Sequence, residues 1–170
     1  MVKQIESGLL AQLTAAFTPQ GAARPSMKVE SWPNRPEGYR MTGAGDVFTI
    51  YKGTVYDSDD TTSAHYDAKQ EFEIMLRART LRDQGAAYDM LDAARTAVAG
   101  KRLDGSSRVT LVLRDDFIDY SEGVFTYALV VRVPIIVFQS ISHAPGPWID
   151  ASLEGVQLKD LEFVQQGSGS

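Results

Sequence analysis

The stretch that decides the fold reads QEFEIMLRARTLRDQGAAYDMLDAARTAVAG and runs from Gln70 to Gly100. Its first part belongs to a segment, Tyr66–Thr80, in which apolar and polar side chains alternate, and such alternation predicts a strand with one buried and one wet face. Its second part, Gly85–Gly100, changes to helical spacing and ends on a glycine in the position of a C-terminal cap. The apolar positions of that helix are Ala87, Leu91, Ala94 and Val98. The stretch therefore predicts a strand followed by an alanine-rich helix that approaches its neighbours closely.

The N-terminal side of this stretch predicts one helix and two further strands. Apolar residues recur at helical spacing over Val2–Phe17, and Pro19 and Gly21 follow as stop signals. A short extended run, Met27–Trp32, is halted by prolines and is predicted as an edge strand. Alternation over Asp46–Tyr56 predicts the second strand.

The C-terminal side predicts an antiparallel pair of strands, because alternation returns over residues 109–114 and 125–133. The acidic connection between them is predicted as a charged hairpin loop, and its carboxylates are those of Asp115, Asp116, Asp119 and Glu122. The resulting order is α-β-β-β-α-β-β. It favours an α+β fold with one mainly antiparallel sheet and two helices packed on one face.

Beyond Pro134 the pattern changes. Residues 139–166 contain many large apolar side chains without a clean period, and we expect them to form an extended C-terminal arm that lies on its own sheet or on a neighbouring copy. Residues 167–170, Gly-Ser-Gly-Ser, are typical of a flexible linker or a tag remnant. The predicted organisation is therefore one α+β domain over residues 1–138, followed by the arm and this short tail.

Composition excludes several classes of protein. The chain has 170 residues, of which 44% are hydrophobic and 23% charged, and these values are close to average globular usage. The absence of cysteine excludes thiolate nucleophiles, zinc–thiolate sites and disulfides. The net charge of −5 has the wrong sign for a general nucleic-acid binder. The absence of cysteine also fits assembly in a reducing cytoplasm. We expect no membrane partner and no export signal.

Metal and nucleotide motifs are incomplete in this sequence. The acidic run Asp57, Asp59 and Asp60 could suggest calcium, but Thr62 stands where the calcium loop needs glycine. The Gly43-Ala44-Gly45 run resembles the start of a dinucleotide fingerprint, yet a strand follows it instead of a helix. We expect neither a metal nor a cofactor.

Catalytic constellations are likewise missing. His65 and His143 lie far apart in sequence without metal-ligand spacing. Ser106-Ser107 lacks the nucleophile elbow of a hydrolase and is interpreted as a turn. The carboxylates of the acidic connection could perform acid–base chemistry only if they converged, so they are interpreted as surface charges. The sequence therefore predicts no catalytic, cofactor-binding or metal-binding residues.

Three parts of the chain together resemble the Mu-like phage tail proteins, which are similar in turn to tail terminators. These parts are the N-terminal helix, the stretch Gln70–Gly100 and the hairpin VTLVLRDDFIDYSEGVFTYALVVRVP at Val109–Pro134. The features shared with that family are the basic strand end Arg77–Arg82, the helix opening Gly85–Tyr88, Leu91-Asp92, Gly100, and the glycine–aromatic pattern Gly123–Tyr127. The resemblance extends over about Val2–Val133 and does not include the arm.

This resemblance implies a non-enzymatic virion protein of the tail. Such proteins form rings, usually of six copies, at the head-proximal end of the tail tube, where they stop tube growth and offer a surface to the neck. The implied partners are further copies of the chain, the tail tube and the sheath protein, and the neck protein. DNA passes only through the lumen.

Ring closure of identical copies requires two different contact patches, and the arm is a candidate for one of them. An acidic lumen, with Asp57–Asp60 and Asp115–Asp119 facing the channel, would repel DNA and let it pass. The sequence leaves two alternatives to a terminator. One is a head–tail connector or neck protein, and the other is a small α+β ligand-binding or hydrolytic domain with its site in the acidic loops.

Overall fold

The computed structural model describes residues 1–18, 27–33, 39–41, 43–57 and 65–138. Within these ranges the chain forms two helices and five strands in the predicted order. They are α1 (Val2–Phe17), β1 (Met27–Ser31), β2 (Gly45–Tyr56), β3 (His65–Ala78), α2 (Ala87–Val98), β4 (Leu111–Ser121) and β5 (Val124–Phe138).

The strands form one sheet in the order β1-β2-β3-β5-β4. The pair β1–β2 is parallel, whereas β2–β3, β3–β5 and β4–β5 are antiparallel. The predicted α+β class with a mainly antiparallel sheet is confirmed, and β1 lies at an edge as predicted. The other edge is β4.

Both helices pack on the same face of this sheet. Helix α1 buries Ile5, Leu9, Leu13 and Phe17, and α2 buries Ala87, Met90, Ala94 and Val98. The buried helix side chains pack against the even-numbered residues of β3 and the odd-numbered residues of β5. Among these strand residues, Ile74 and Leu129 are fully buried. The opposite face of the sheet is called the open face below.

Gly45 lets α2 approach β2 closely. A Cβ atom at this position would lie 2.9 Å from the Met90 sulfur and 3.0 Å from the Arg77 carbonyl oxygen, closer than side chains pack. Gly45 thus has a packing role in the core. Strand β2 begins at Gly45, as the sequence predicted. In a dinucleotide-binding motif a helix would follow the glycine run at residues 43–45 instead.

The prediction of an acidic loop between the last two strands is wrong. Strand β4 continues through Asp115, Asp116 and Asp119 to Ser121, and only Glu122 and Gly123 form the turn. Both turn residues have positive φ, 52° and 76°, as the tightest hairpin turns require. The strand continues because aromatic and β-branched residues, which favour extended structure, are interleaved with the acids.

Strand β5 also extends further than predicted, through Pro134 to Phe138. Pro134 pairs in register with Lys69 of β3, and its carbonyl accepts a hydrogen bond from the Ser107 amide at 2.9 Å on the opposite side. Strand β4 begins only at Leu111, opposite Arg132, so the missing proline donor interrupts no ladder. The arm at residues 139–166 and the tail at 167–170 lie outside the described residues, and the predicted domain division stays a prediction.

Candidate assembly surfaces

The residues considered for metal binding do not come together. Asp57 directly follows β2 and is 2.6 Å from the Lys69 ammonium, and the His65 ring packs against Phe138. Asp59, Asp60 and His143 lie outside the described residues. Among the residues that the structure describes, no group of three or more carboxylates and histidines is placed to hold a metal ion.

Three of the residues considered for catalysis have hydrogen-bond partners within the chain. The Ser106 hydroxyl is buried and donates to the Leu103 carbonyl at 2.6 Å, which fits the predicted turn. The carboxylate of Asp115 accepts a hydrogen bond from Arg95 of α2, and that of Asp116 accepts one from Arg114 at 2.8 Å. Asp115 and Asp116 therefore bind different arginines, whereas Asp119 and Glu122 line one hollow of about 350 Å³ together with Tyr39 and Arg77.

Edge strand β4 presents the most apolar exposed surface in the described part of the chain. Of the twelve large apolar side chains there that are exposed, six lie between Val109 and Tyr120. We call them the β4 surface, which consists of Val109, Leu111, Leu113, Phe117, Ile118 and Tyr120. Leu111 and Ile118 are about half exposed, at 47% and 50%. Concentration of this kind on a single edge marks an interaction site.

Two bulges interrupt β4, and each places an apolar residue outside the ladder. The register with β5 shifts between Val112 and Arg114 and again between Phe117 and Asp119, so Leu113 and Ile118 are the extra residues. Bulges bend and twist an edge strand and prevent it from pairing with another regular strand. A partner on this edge therefore contacts side chains more than backbone.

A second exposed apolar patch lies at the opposite side of the sheet. Strand β1 pairs with β2 only as far as Thr49, so the outer edge of β2 beyond that residue has no strand beside it among the described residues. Tyr51, Val55 and Tyr56 are exposed there, at 39%, 53% and 53%. We call this segment, Tyr51–Tyr56, the β2 surface. It contains Lys52 as its one charged residue.

The centre of the open face is a row of ion pairs between neighbouring strands. Lys52 lies 3.1 Å from Glu73, and Arg132 of β5 lies 2.6 Å from Glu71 of β3. Each positive group thus has a negative neighbour on the next strand. This part of the open face is therefore polar and charge-balanced, and both pairs are partly buried.

One buried carboxylate lies at the other end of the open face. Asp46 is fully buried, with Lys28 of β1 and Arg77 of β3 beside it in register and the Tyr39 ring within cation–π distance of both cations. Neither oxygen of Asp46 has a hydrogen-bond partner among the described residues. Burial raises the pKa of Asp46, and Tyr39 and Arg77 oppose that shift. The sequence pattern does not predict the burial of Asp46, because Tyr39, which lies beside it, is not part of a strand.

Tyr39 belongs to an aromatic cluster. Trp32 and Tyr39 pack edge-on against Phe48, at ring-centroid distances of 5.3 and 5.0 Å. Burial and the nearby Asp46 carboxylate raise the pKa of Tyr39. The arrangement explains why Phe48, on the face away from the helices, is also completely buried.

Two further hollows lie in the described surface near the helices and near Tyr39. One of about 310 Å³ lies beside the start of α2, between Phe17, Met27 and Met90. The other, of about 720 Å³, lies beside Arg40 and Arg79, both of which are exposed. The buried Asp46 lines neither hollow. Tyr39, whose pKa is raised by burial and by Asp46, lines the larger of these two hollows, so a hollow and a perturbed titrating group do meet there.

The fold and its surfaces define a small α+β protein with two exposed apolar patches at the edges of its sheet. Residues 20–153 match the Gp37 protein family, so the chain belongs to that family. The match includes the beginning of the arm. No curated protein matches the chain in sequence.

A solved structure shares the fold. It is a chain from a structure described as the virion of a native gene transfer agent particle, with a TM-score of 0.50 and 14% sequence identity. The alignment covers 80% of this chain and 97% of the other. Among the described residues, neither helix has the length and apolar character that a membrane crossing requires.

Proposed function

We propose that this chain is a structural, non-enzymatic component of a phage virion or phage-like particle, and that it is a tail terminator. Copies of the chain close into a ring of six at the head-proximal end of the tail tube. The ring stops tube growth and joins the tube to the neck. DNA passes through its lumen without a specific contact.

The observation that carries this proposal is the β4 surface. Leu111, Phe117 and Ile118 are exposed on one edge of a sheet whose core is otherwise well covered. In a monomer these apolar side chains would stay exposed to water, whereas in an assembly a neighbouring subunit covers them. The fold shared with a chain of a gene transfer agent virion supports the same class of function.

A head–tail connector is the second candidate, because it would use the same exposed edges in a ring. The two roles differ in what their loss does to the particle. A terminator limits the length of the tube, whereas a connector joins a finished tail to the head.

Deletion of the gene from a producing strain distinguishes them by electron microscopy. Loss of a terminator is expected to leave overlong tubes without heads. Loss of a connector is expected to leave tails of normal length beside separate heads. Particles of normal shape and yield would contradict both roles.

A further inference from the structure

The two apolar surfaces at opposite edges of the sheet differ in charge. The β4 strand contains three carboxylates, Asp115, Asp116 and Asp119, against one arginine, whereas the β2 surface contains Lys52 and no carboxylate. Asp119 is exposed and has no ion-pair partner among the described residues. Asp115 and Asp116 pair with Arg95 and Arg114, so among the described residues Asp119 is the one carboxylate of β4 without such a partner. The Lys52 ammonium pairs with Glu73 at 3.1 Å, but its side chain is 49% exposed and can bind a second carboxylate beside Glu73.

We propose that the β4 surface of one copy binds the β2 surface of a second copy of this chain. The contact is heterologous, so each subunit uses one edge on each side and repetition closes a ring. This inference rests on the proposed ring function and names the surfaces that build it. An isologous contact between two β4 surfaces would bring like charges together and would end at a dimer.

The bulges determine the character of the contact. Because Leu113 and Ile118 interrupt the regular edge of β4, the two sheets do not merge into one continuous ladder. Their apolar side chains pack instead against Tyr51, Val55 and Tyr56 of the neighbour. Asp119 lies in the same contact and meets Lys52.

The same contact determines where the carboxylates of β4 lie in the ring. Asp115, Asp116 and Asp119 lie on the edge that the neighbouring copy covers, so they stand between subunits. The expectation that this group forms an acidic lumen is replaced by the proposal. Asp57 lies at the end of β2 and is not part of the covered edge.

The test uses two blocked variants of the full chain. In the first, Leu111→Lys and Ile118→Lys place positive charge on the β4 surface. In the second, Val55→Glu and Tyr56→Glu place negative charge on the β2 surface. All four side chains are about half exposed, so folding is expected to survive and is checked by circular dichroism and the unfolding midpoint.

The matched control is the double substitution Ala11→Lys with Ala15→Lys. Both alanines are on the exposed side of α1, one helical turn apart and away from both sheet edges. The control therefore adds the same two charges as the first blocked variant without changing either proposed surface.

Association is measured by sedimentation velocity and native mass spectrometry at concentrations up to about 1 mM, where even weak contacts are populated. The wild type and the control are expected to form a closed oligomer, and each blocked variant is expected to be a monomer. A mixture of the two blocked variants is expected to associate into at least a one-to-one dimer, because one intact β4 surface then meets one intact β2 surface.

Three results would overturn the inference. They are a wild type that stays monomeric, an oligomer that either blocked variant still forms, and a β2-blocked variant that dimerises by itself. Failure of the proposed function is recognised separately, since it concerns tube length and head attachment in particles and not the surfaces that join the copies.

Discussion

Gly45 is the residue at which the packing of α2 on the sheet is most tightly constrained. The Met90 sulfur and the Arg77 carbonyl leave no room for a Cβ atom. Gly8 in α1 is different, since a Cβ atom there would be 3.5 Å from Leu103, an ordinary contact. Substitution by alanine is therefore expected to destabilise the fold at Gly45 and to stabilise it at Gly8.

Gly45→Ala is expected to lower the free energy of unfolding by about 1–3 kcal/mol, because overpacking forces α2 or Met90 to move. Gly8→Ala is expected to raise it by roughly 0.5–1 kcal/mol through higher helix propensity. Urea denaturation measures both. Equal effects of the two substitutions would contradict the close approach of α2 to β2.

Asp46 predicts a pH dependence of stability. Its folded-state pKa is raised above the ordinary value of 3.8, chiefly by burial, so the folded state binds this proton more tightly than the unfolded state. The carboxyl therefore stabilises the fold when protonated, and this contribution is lost as the pH rises from about 3.8 through the raised pKa.

The substitution Asp46→Asn is expected to remove this pH-dependent loss of stability, because asparagine does not ionise. The difference in unfolding free energy between the variant and the wild type should shift in favour of the variant as the pH is raised from about 4 to about 7. The control is Asp119→Asn, at an exposed position of β4. A difference for Asp46→Asn that does not change with pH would show that the carboxyl is solvated.

At the level of the elements, the hairpin between β4 and β5 turns on only two residues. Glu122 is the one non-glycine residue with positive φ among the described residues, and Gly123 follows it. A left-handed conformation costs most residues about 1 kcal/mol, but Asn tolerates it better and Gly adopts it without this penalty.

Glu122→Asn is expected to raise the thermal midpoint by a few degrees, and Gly123→Ala is expected to lower it by a similar amount. Differential scanning fluorimetry is sufficient to measure both. If both substitutions left the midpoint unchanged, the two-residue turn would be wrong and a longer acidic loop would regain support.

The elements also show what the sequence could predict. Helix α1 begins and ends where its apolar spacing predicted, because Pro19 terminates a pattern that is otherwise local. The sequence does not predict where β4 ends, because Asp115 and Asp116 locally favour a loop. In the structure they pair with β5 and continue the strand. Strand pairing is a tertiary effect and outweighs local propensity.

The candidate surfaces were less accessible to sequence reasoning. Alternation does not tell which strand lies at an edge, and neither bulge residue, Leu113 nor Ile118, differs from its neighbours in type. The burial of Asp46 involves Tyr39, which lies outside the strands, and no local pattern indicates this contact. The prediction that no catalytic residue is present stays a prediction.

Considered as a whole, the molecule has one covered face, one charge-balanced open face and two apolar edges. The helices cover the first face, and the ion pairs Lys52–Glu73 and Glu71–Arg132 keep the second polar. The edges remain as the surfaces through which copies can join. The central claim is therefore that this chain functions as a repeated subunit of a ring.

Electron microscopy of the purified full chain tests this claim most directly. End-on class averages are expected to show closed rings with a central channel, and mixing with tail tubes is expected to place one ring on one end of each tube. Single compact particles at every concentration, together with tubes whose ends stay bare, would contradict the account.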